Sequence, residues 1–385
     1  MFLGRNQLAF RGIVAVWVLA GHLLHNPIYD AGFARAADAG WLALLARLDF
    51  LMVDMMFVLS GCLLSLHYWE HYPREVRGRT IDRFYVRRLV RIYPLHLLGV
   101  AMVGAMAWAG IAHPISSGLE ATIFKHWEWT GAINLLLMNG WGIVPVASWN
   151  EPAWTVSVMF LLYIIFPNLV LGLRRLPQRP LVYWVLVAVI LVGYVVMRQL
   201  LPMGSHSDGM GALVRGLVFF MVGIVAARLH QLEWQMQRNW DRLLGAVWLL
   251  MIGLMLVWWL VPFDVGVFHL LYLPWMLAIM RAHGRVSHVM THRLCIWLGG
   301  IAYSLYILHY PILLLIKAGM GDRLAQMAEA GVWGRMAAYM VVIGLVLLVC
   351  YCAMRFIERP LLRLLNKQGP LLINRNGPSY VAERD

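Results

Sequence analysis

Arg11 and His22 stand eleven positions apart in the apolar run LAFRGIVAVWVLAGH. At about 100° per residue that is close to three helical turns, so both share one face with roughly 16 Å between them. The stripe joining them passes Ala15, Val18 and Leu19. Ionisable groups inside apolar spans are costly, which makes each a functional candidate by default. Histidine exchanges protons near neutral pH. The plainer account is an Arg11 that snorkels to the headgroups and a His22 bonded to a neighbouring carbonyl. Asp49 and Asp54 precede MMFVLSGCLL, a setting in which a carboxylate pairs with a cation or stays protonated. Arg11 and His22 are the nearest candidates in sequence, and a structural interhelical ion pair is the competing account. The stretch RTIDRFYVRRLVRIYPLH then carries Arg83, Arg87, Arg88 and Arg91. Arg88 and Arg91, three apart, share a helix face, and guanidinium forks suit phosphate or pyrophosphate. Contact with anionic lipid explains a basic loop but not a pair carried into a helix. Finally, IAYSLYILHYPILLL sets His309 among Tyr303, Tyr306 and Tyr310, either a packing stripe or a hydrogen-bonded cluster. Pro311 is expected to loosen the backbone there.

The elements that hold these residues follow from composition. The chain has 385 residues, 61% of them hydrophobic and only 13% charged, where soluble domains average about 45–50% apolar and about 25% charged. A soluble enzyme is excluded. Apolar runs predict an all-α polytopic membrane protein of about ten helices, near 10–28, 48–67, 92–112, 152–172, 181–201, 210–228, 243–262, 264–280, 294–316 and 334–354. A short outer turn near Asp264 is expected between the seventh and eighth. The net charge of +13 would suggest nucleic acid in a soluble chain. Here 24 of the 32 Lys and Arg fall in the segments that are internal if the N-terminus is cytoplasmic, which places both termini in the cytoplasm. No nucleic-acid partner is expected. Residues 113–151 read as an outer interfacial or re-entrant element or as an acceptor-binding loop, and 361–385 as a polar cytoplasmic tail after a membrane domain spanning 1–360. Cys62, Cys295, Cys350 and Cys352 lie in or beside apolar runs and act as small hydrophobes, so no metal site is expected.

Six blocks in order, LAFRGIVAVWVLAGH, VDMMFVLSG, YVRRLVRIYP, PAWTVSVMFLLYIIFP, GLVFFMVGIVAAR and IAYSLYILHYPI, resemble the integral-membrane acyltransferase family 3, the O-acyltransferases of bacterial surface glycans. The likeness runs from about residue 5 to 360. It implies a ten-helix bundle in the inner membrane of a bacterium that moves an acyl group, usually acetyl from cytoplasmic acetyl-CoA, to a hydroxyl of a cell-surface glycan such as an O-antigen or exopolysaccharide, free or lipid-linked. The family's Arg-x10-His motif falls on Arg11 and His22, its Arg-x-x-Arg motif on Arg88 and Arg91, and its closing motif on Tyr303, Ser304, Tyr306 and His309. Its Trp-Ser-Leu-Ser-Val-Glu segment falls on Trp154 to Met159, where Thr155 replaces Ser and Met159 takes the glutamate position. Tyr163 and Pro167 keep their spacing.

The implied roles are these. His22 is the general base or a transient acyl carrier, and His309 of the closing motif is counted among the catalytic residues. Asp54 or Glu151 replaces the missing glutamate, or the protein is a divergent or impaired member. Tyr306 or a cation stabilises the oxyanion, Arg88 and Arg91 hold CoA phosphates, and Arg11 guides the donor. Trp154 and Ser157 lie on the acceptor side. Two other readings use the same residues: a polytopic transporter or flippase of an anionic or glycan substrate, against which the absence of an evident internal repeat counts, and a haem protein ligated by His22 and His309.

Overall fold

The computed structural model describes residues 3–25, 49–69, 79–110, 127–143, 149–200, 209–232, 239–261, 263–264 and 266–367. Among them every regular element is a helix: α1 Leu3–His25, α2 Asp49–Tyr68, α3 Arg79–Trp108, α4 Trp127–Leu135, α5 Ala153–Arg174, α6 Pro180–Leu200, α7 Gly209–Leu232, α8 Trp240–Leu260, α9 Gly266–His269, α10 Tyr272–Arg281, α11 Arg285–Met290, α12 Arg293–Glu329, α13 Val332–Ala353 and α14 Arg359–Lys367, the last two joined by a π turn at Met354–Glu358. Among the described residues eight helical segments are long and apolar enough to cross a membrane. They, together with α1 and the shorter apolar stretch Gly266–Arg281, occupy the ten positions read from hydropathy.

The differences lie at boundaries and have local causes. Helix α3 begins at Arg79, not near 92, because arginine is a good helix former and the helix precedes its apolar run. Arg88 and Arg91 are therefore well inside a helix. The eighth span is split into α9 and α10; Pro274, in the first turn of α10, lacks the N–H that would continue the helix from upstream. Asp264 Oδ1 accepts from the Gly266 amide at 2.6 Å, ordering the turn expected there. Helix α12 runs 37 residues through Pro311, roughly 55 Å against a hydrocarbon core of about 30 Å. The described part of 113–151 is α4 and the turns around it, and of the tail only α14, which reaches Lys367; residues 111–126, 144–148 and 368–385 lie outside the described residues.

Two helix pairs form the centre: α1 packs along α12, and α2 along α7. Without a hydrophobic force between helices in lipid, close backbone approach matters, and small residues permit it. A Cβ on Gly299 would lie 2.0 Å from Leu8 O, and one on Gly12 would lie 2.5 Å from Gly299 N. These two glycines bring the His22 helix against the His309 helix. Beneath them Phe10, Trp248 and Trp275 interlock edge to face, with Trp275 fully buried.

Candidate active site

The two predicted histidines meet. The rings of His22 on α1 and His309 on α12 lie 4.9 Å apart at 71°. Each is tied by Nδ1 to the carbonyl one turn back on its own helix: His22 to Val18 O at 2.9 Å, His309 to Leu305 O at 3.0 Å. A carbonyl only accepts, so Nδ1 carries the hydrogen and Nε2 keeps its lone pair in the neutral ring. His309 is buried, and its Nε2 has no hydrogen-bond partner among the described residues. The rings stand too close to admit a porphyrin plane between them, which removes the haem reading on geometry.

Tyr306, one turn before His309, completes the cluster, their rings 6.2 Å apart. Its hydroxyl lies 2.9 Å from that of Thr155, which donates to Pro152 O at 3.0 Å and so receives the tyrosine hydrogen. The Thr155 departure from the family's serine thus keeps a hydroxyl in place. Asp49, Glu151 and Arg215 all act on Tyr306 electrostatically. Pro311 fixes the other side. Having no N–H, it frees the Ile307 carbonyl, and Asn150 Nδ2 donates to that oxygen at 2.8 Å. The segment before α5 is thereby docked on α12 between Tyr306 and His309. Asp49 Oδ2 stands 3.8 Å from His22 Nδ1. Met159 is only partly buried, packed against the core.

Asp54 belongs to a different network. Its cation is Arg215 on α7, not Arg11 or His22: Arg215 Nε donates to Asp54 Oδ1 at 2.5 Å and Nη2 to Phe50 O at 2.7 Å. Tyr272 OH donates to Leu51 O at 3.1 Å, and His269 Nε2 is 3.4 Å from Asp54 Oδ2. All four side chains are buried. The guanidinium also stacks over Phe50 and Trp154, which ties the network to the α5 motif. Arg215 was not singled out from the sequence; its place inside an apolar span is the signal that could have found it, but nothing in its spacing named its partner. Ser157, fully buried, donates to Leu137 O at 2.7 Å and accepts from the Gly140 amide at 2.9 Å, tying α5 to the turn after α4.

At the opposite end of α3 the Arg88 guanidinium lies over three rings, Tyr68, Phe84 and Tyr163, at 5.6 to 5.9 Å. Cation–π contact holds the charge, and among the described residues no carboxylate pairs with Arg88 and its Nε makes no hydrogen bond. Arg91 and Glu358 both act on Tyr303, whose hydroxyl donates to Ile92 O at 2.5 Å, and Ser304 Oγ donates to Glu358 Oε2 at 2.9 Å. Arg11 is half-buried on α1. Among the described residues no three His, Cys, Asp or Glu groups come together as a metal site requires.

These features define a class: a polytopic helical membrane protein with a histidine pair and a tyrosine enclosed between its helices, and with arginines at the far end of the same bundle. The chain belongs to the acyltransferase 3 family, whose model, described as an acyltransferase domain, matches residues 9–355. Over 177 residues it is 28% identical to a protein named Acyltransferase MdmB from Streptomyces mycarofaciens, a stretch covering 45% of this chain and 41% of that relative. Less than half of the relative's length is therefore matched. No solved structure matches.

Proposed function

We propose that the protein is a membrane-bound O-acyltransferase that carries an acetyl group from cytoplasmic acetyl-CoA to a hydroxyl of a cell-surface glycan, with both termini in the cytoplasm of a bacterium and the bundle in its inner membrane. The observation that carries this reading is the His22–His309 pair, each ring held by Nδ1 so that Nε2 faces the work. In the reaction the glycan hydroxyl oxygen attacks the thioester carbonyl carbon. A C–O bond forms and the C–S bond breaks. His22 Nε2 takes the hydroxyl proton and returns it to the departing thiolate, so the base is regenerated. Tyr306, whose O–H rests on Thr155 before substrate binds, is suited to turn that hydrogen to the oxyanion of the tetrahedral intermediate. Asp54 sits in the Arg215 network, where it would support Trp154 on the acceptor side.

Arg88 and Arg91 would hold CoA phosphates. Arg88 fits that task because aromatic faces, rather than a carboxylate, hold its charge, leaving N–H groups for an anion. Arg11 lies roughly 16 Å along α1 from His22, on the path a pantetheine arm would follow from an inner phosphate site to the outer histidines. Mass spectrometry of surface glycans from cells with and without the gene tests the reading. The mass of an acetyl group present only with the gene supports it. Glycans identical in both, or a whole glycan missing from the surface as a transporter would cause, refute it.

A further inference from the structure

Gly21 and Asp49 occupy space that only a residue without a side chain can share. A Cβ on Gly21 would lie 2.4 Å from Asp49 Cβ, 2.5 Å from its Oδ2 and 2.7 Å from its Cγ. The missing Cβ lets the first residue of α2 lay its carboxylate against α1, one residue from His22. There Asp49 Oδ2 is 3.8 Å from His22 Nδ1, whose nearer acceptor is Val18 O at 2.9 Å. The Nδ1–H of His22 thus has a carbonyl and a carboxylate on one side, and the lone pair of Nε2 points elsewhere. The other charged and titratable groups around the pair come from α12, the segment before α5 and α7. His309 gives its Nδ1–H to Leu305 O, Tyr306 is turned to Thr155, and Glu151 and Arg215 act on Tyr306. Asp54 is held by Arg215.

We infer that Asp49 is a positioning residue for His22: it holds the Nδ1–H tautomer and stabilises the imidazolium that forms when Nε2 takes the acceptor proton, with Gly21 as the gap that admits it. A carboxylate set against the far nitrogen of a catalytic imidazole acts in this way in hydrolytic triads, without itself being protonated. The inference rests on His22 as the base. The side chains of His22 and Asp49 are 19% and 25% exposed, so the ion pair contributes little to folding, while its effect on the charge formed during the reaction remains.

The test compares variants of the full chain in nanodiscs, following release of the CoA thiol from acetyl-CoA. Asp49→Asn is expected to lower kcat by about 10- to 100-fold, the range seen when the hydrogen-bonding partner behind a metal-ligating histidine is lost, with KM for acetyl-CoA within about twofold of the parent. Asp49→Glu should recover most of kcat, and Gly21→Ala should reproduce the Asn loss by evicting the carboxylate. Gly21→Ala carries the comparison alone if Asp49→Asn fails to fold. Parental kcat in Asp49→Asn or in Gly21→Ala, or Glu no better than Asn, overturns the inference while leaving His22 as the base. Parental kcat in His22→Ala overturns that base assignment itself.

Discussion

Replacing Asp54 by Asn would leave the Arg215 charge inside the bundle without the carboxylate that faces it. Arg215 is 3% exposed and Asp54 fully buried, and Nε to Oδ1 is 2.5 Å. The contacts that remain include the Phe50 carbonyl at 2.7 Å and the faces of Phe50 and Trp154. Removing one partner of a buried pair costs about 3–5 kcal/mol, because the other charge keeps its desolvation penalty without its compensation. Removing both costs far less, and apolar replacements of similar volume are often neutral or better. The expected pattern is therefore asymmetric: Asp54→Asn loses about 3–5 kcal/mol, while Asp54→Leu combined with Arg215→Met recovers most of it. Unfolding in mixed micelles, followed by tryptophan fluorescence, measures all four corners of the cycle. A loss below about 1 kcal/mol in Asp54→Asn, the value of an exposed pair, refutes the buried ion pair. A double variant as unstable as the single refutes the stranded charge as its cause. Acyl transfer by the double variant then settles whether Asp54 also takes part in the reaction: full activity would leave it with a structural role only.

His22→Ala is expected to abolish acylation while the protein still inserts, checked by glycan mass spectrometry beside membrane fractionation. Arg88→Ala with Arg91→Ala should weaken CoA binding at least about tenfold, about 1.4 kcal/mol, measured by calorimetry; parental affinity would remove the phosphate assignment. Tyr306→Phe should lower kcat about 100-fold or more, as loss of one oxyanion donor does, with little change in the melting temperature because Thr155 keeps its bond to Pro152 O. Asn150→Ala should cost about 1–3 kcal/mol by leaving the Ile307 carbonyl unsatisfied. Adding Pro311→Ala should restore much of that loss, since the new backbone N–H can reach the same oxygen; a double variant no more stable than Asn150→Ala refutes this account of the freed Ile307 carbonyl.

The helices were legible because hydropathy and periodicity are local. Every span read from the sequence has a helix at its position, and the errors fall at ends such as Arg79 and at Pro274, where a charged first turn and a missing N–H act against the apolar average. The shared face of Arg11 and His22 was equally local. The motif order brought His309 and Tyr306 into the same expectation, and the structure sets them beside His22. Arg215 lies inside the apolar part of α7 but was not singled out, and Asp54 was matched to nearer cations, because proximity along the chain was the one guide to pairing.

The sequence by itself determined that this is a helical membrane protein and which residues had no business in lipid, since burying an ionisable group is costly wherever its helix lies. Partnership was decided only by tertiary structure. Asp54 finds Arg215 from 161 positions away, and Asn150 finds the Ile307 carbonyl from 157. Asp49, for which Arg11 and His22 were equally open in sequence, comes within 3.8 Å of His22 because Gly21 has no Cβ to keep it out. Which side chains meet depends on how closely two backbones approach and at what height along their axes, and that is set by small residues and shape across the interface, not by spacing along either helix.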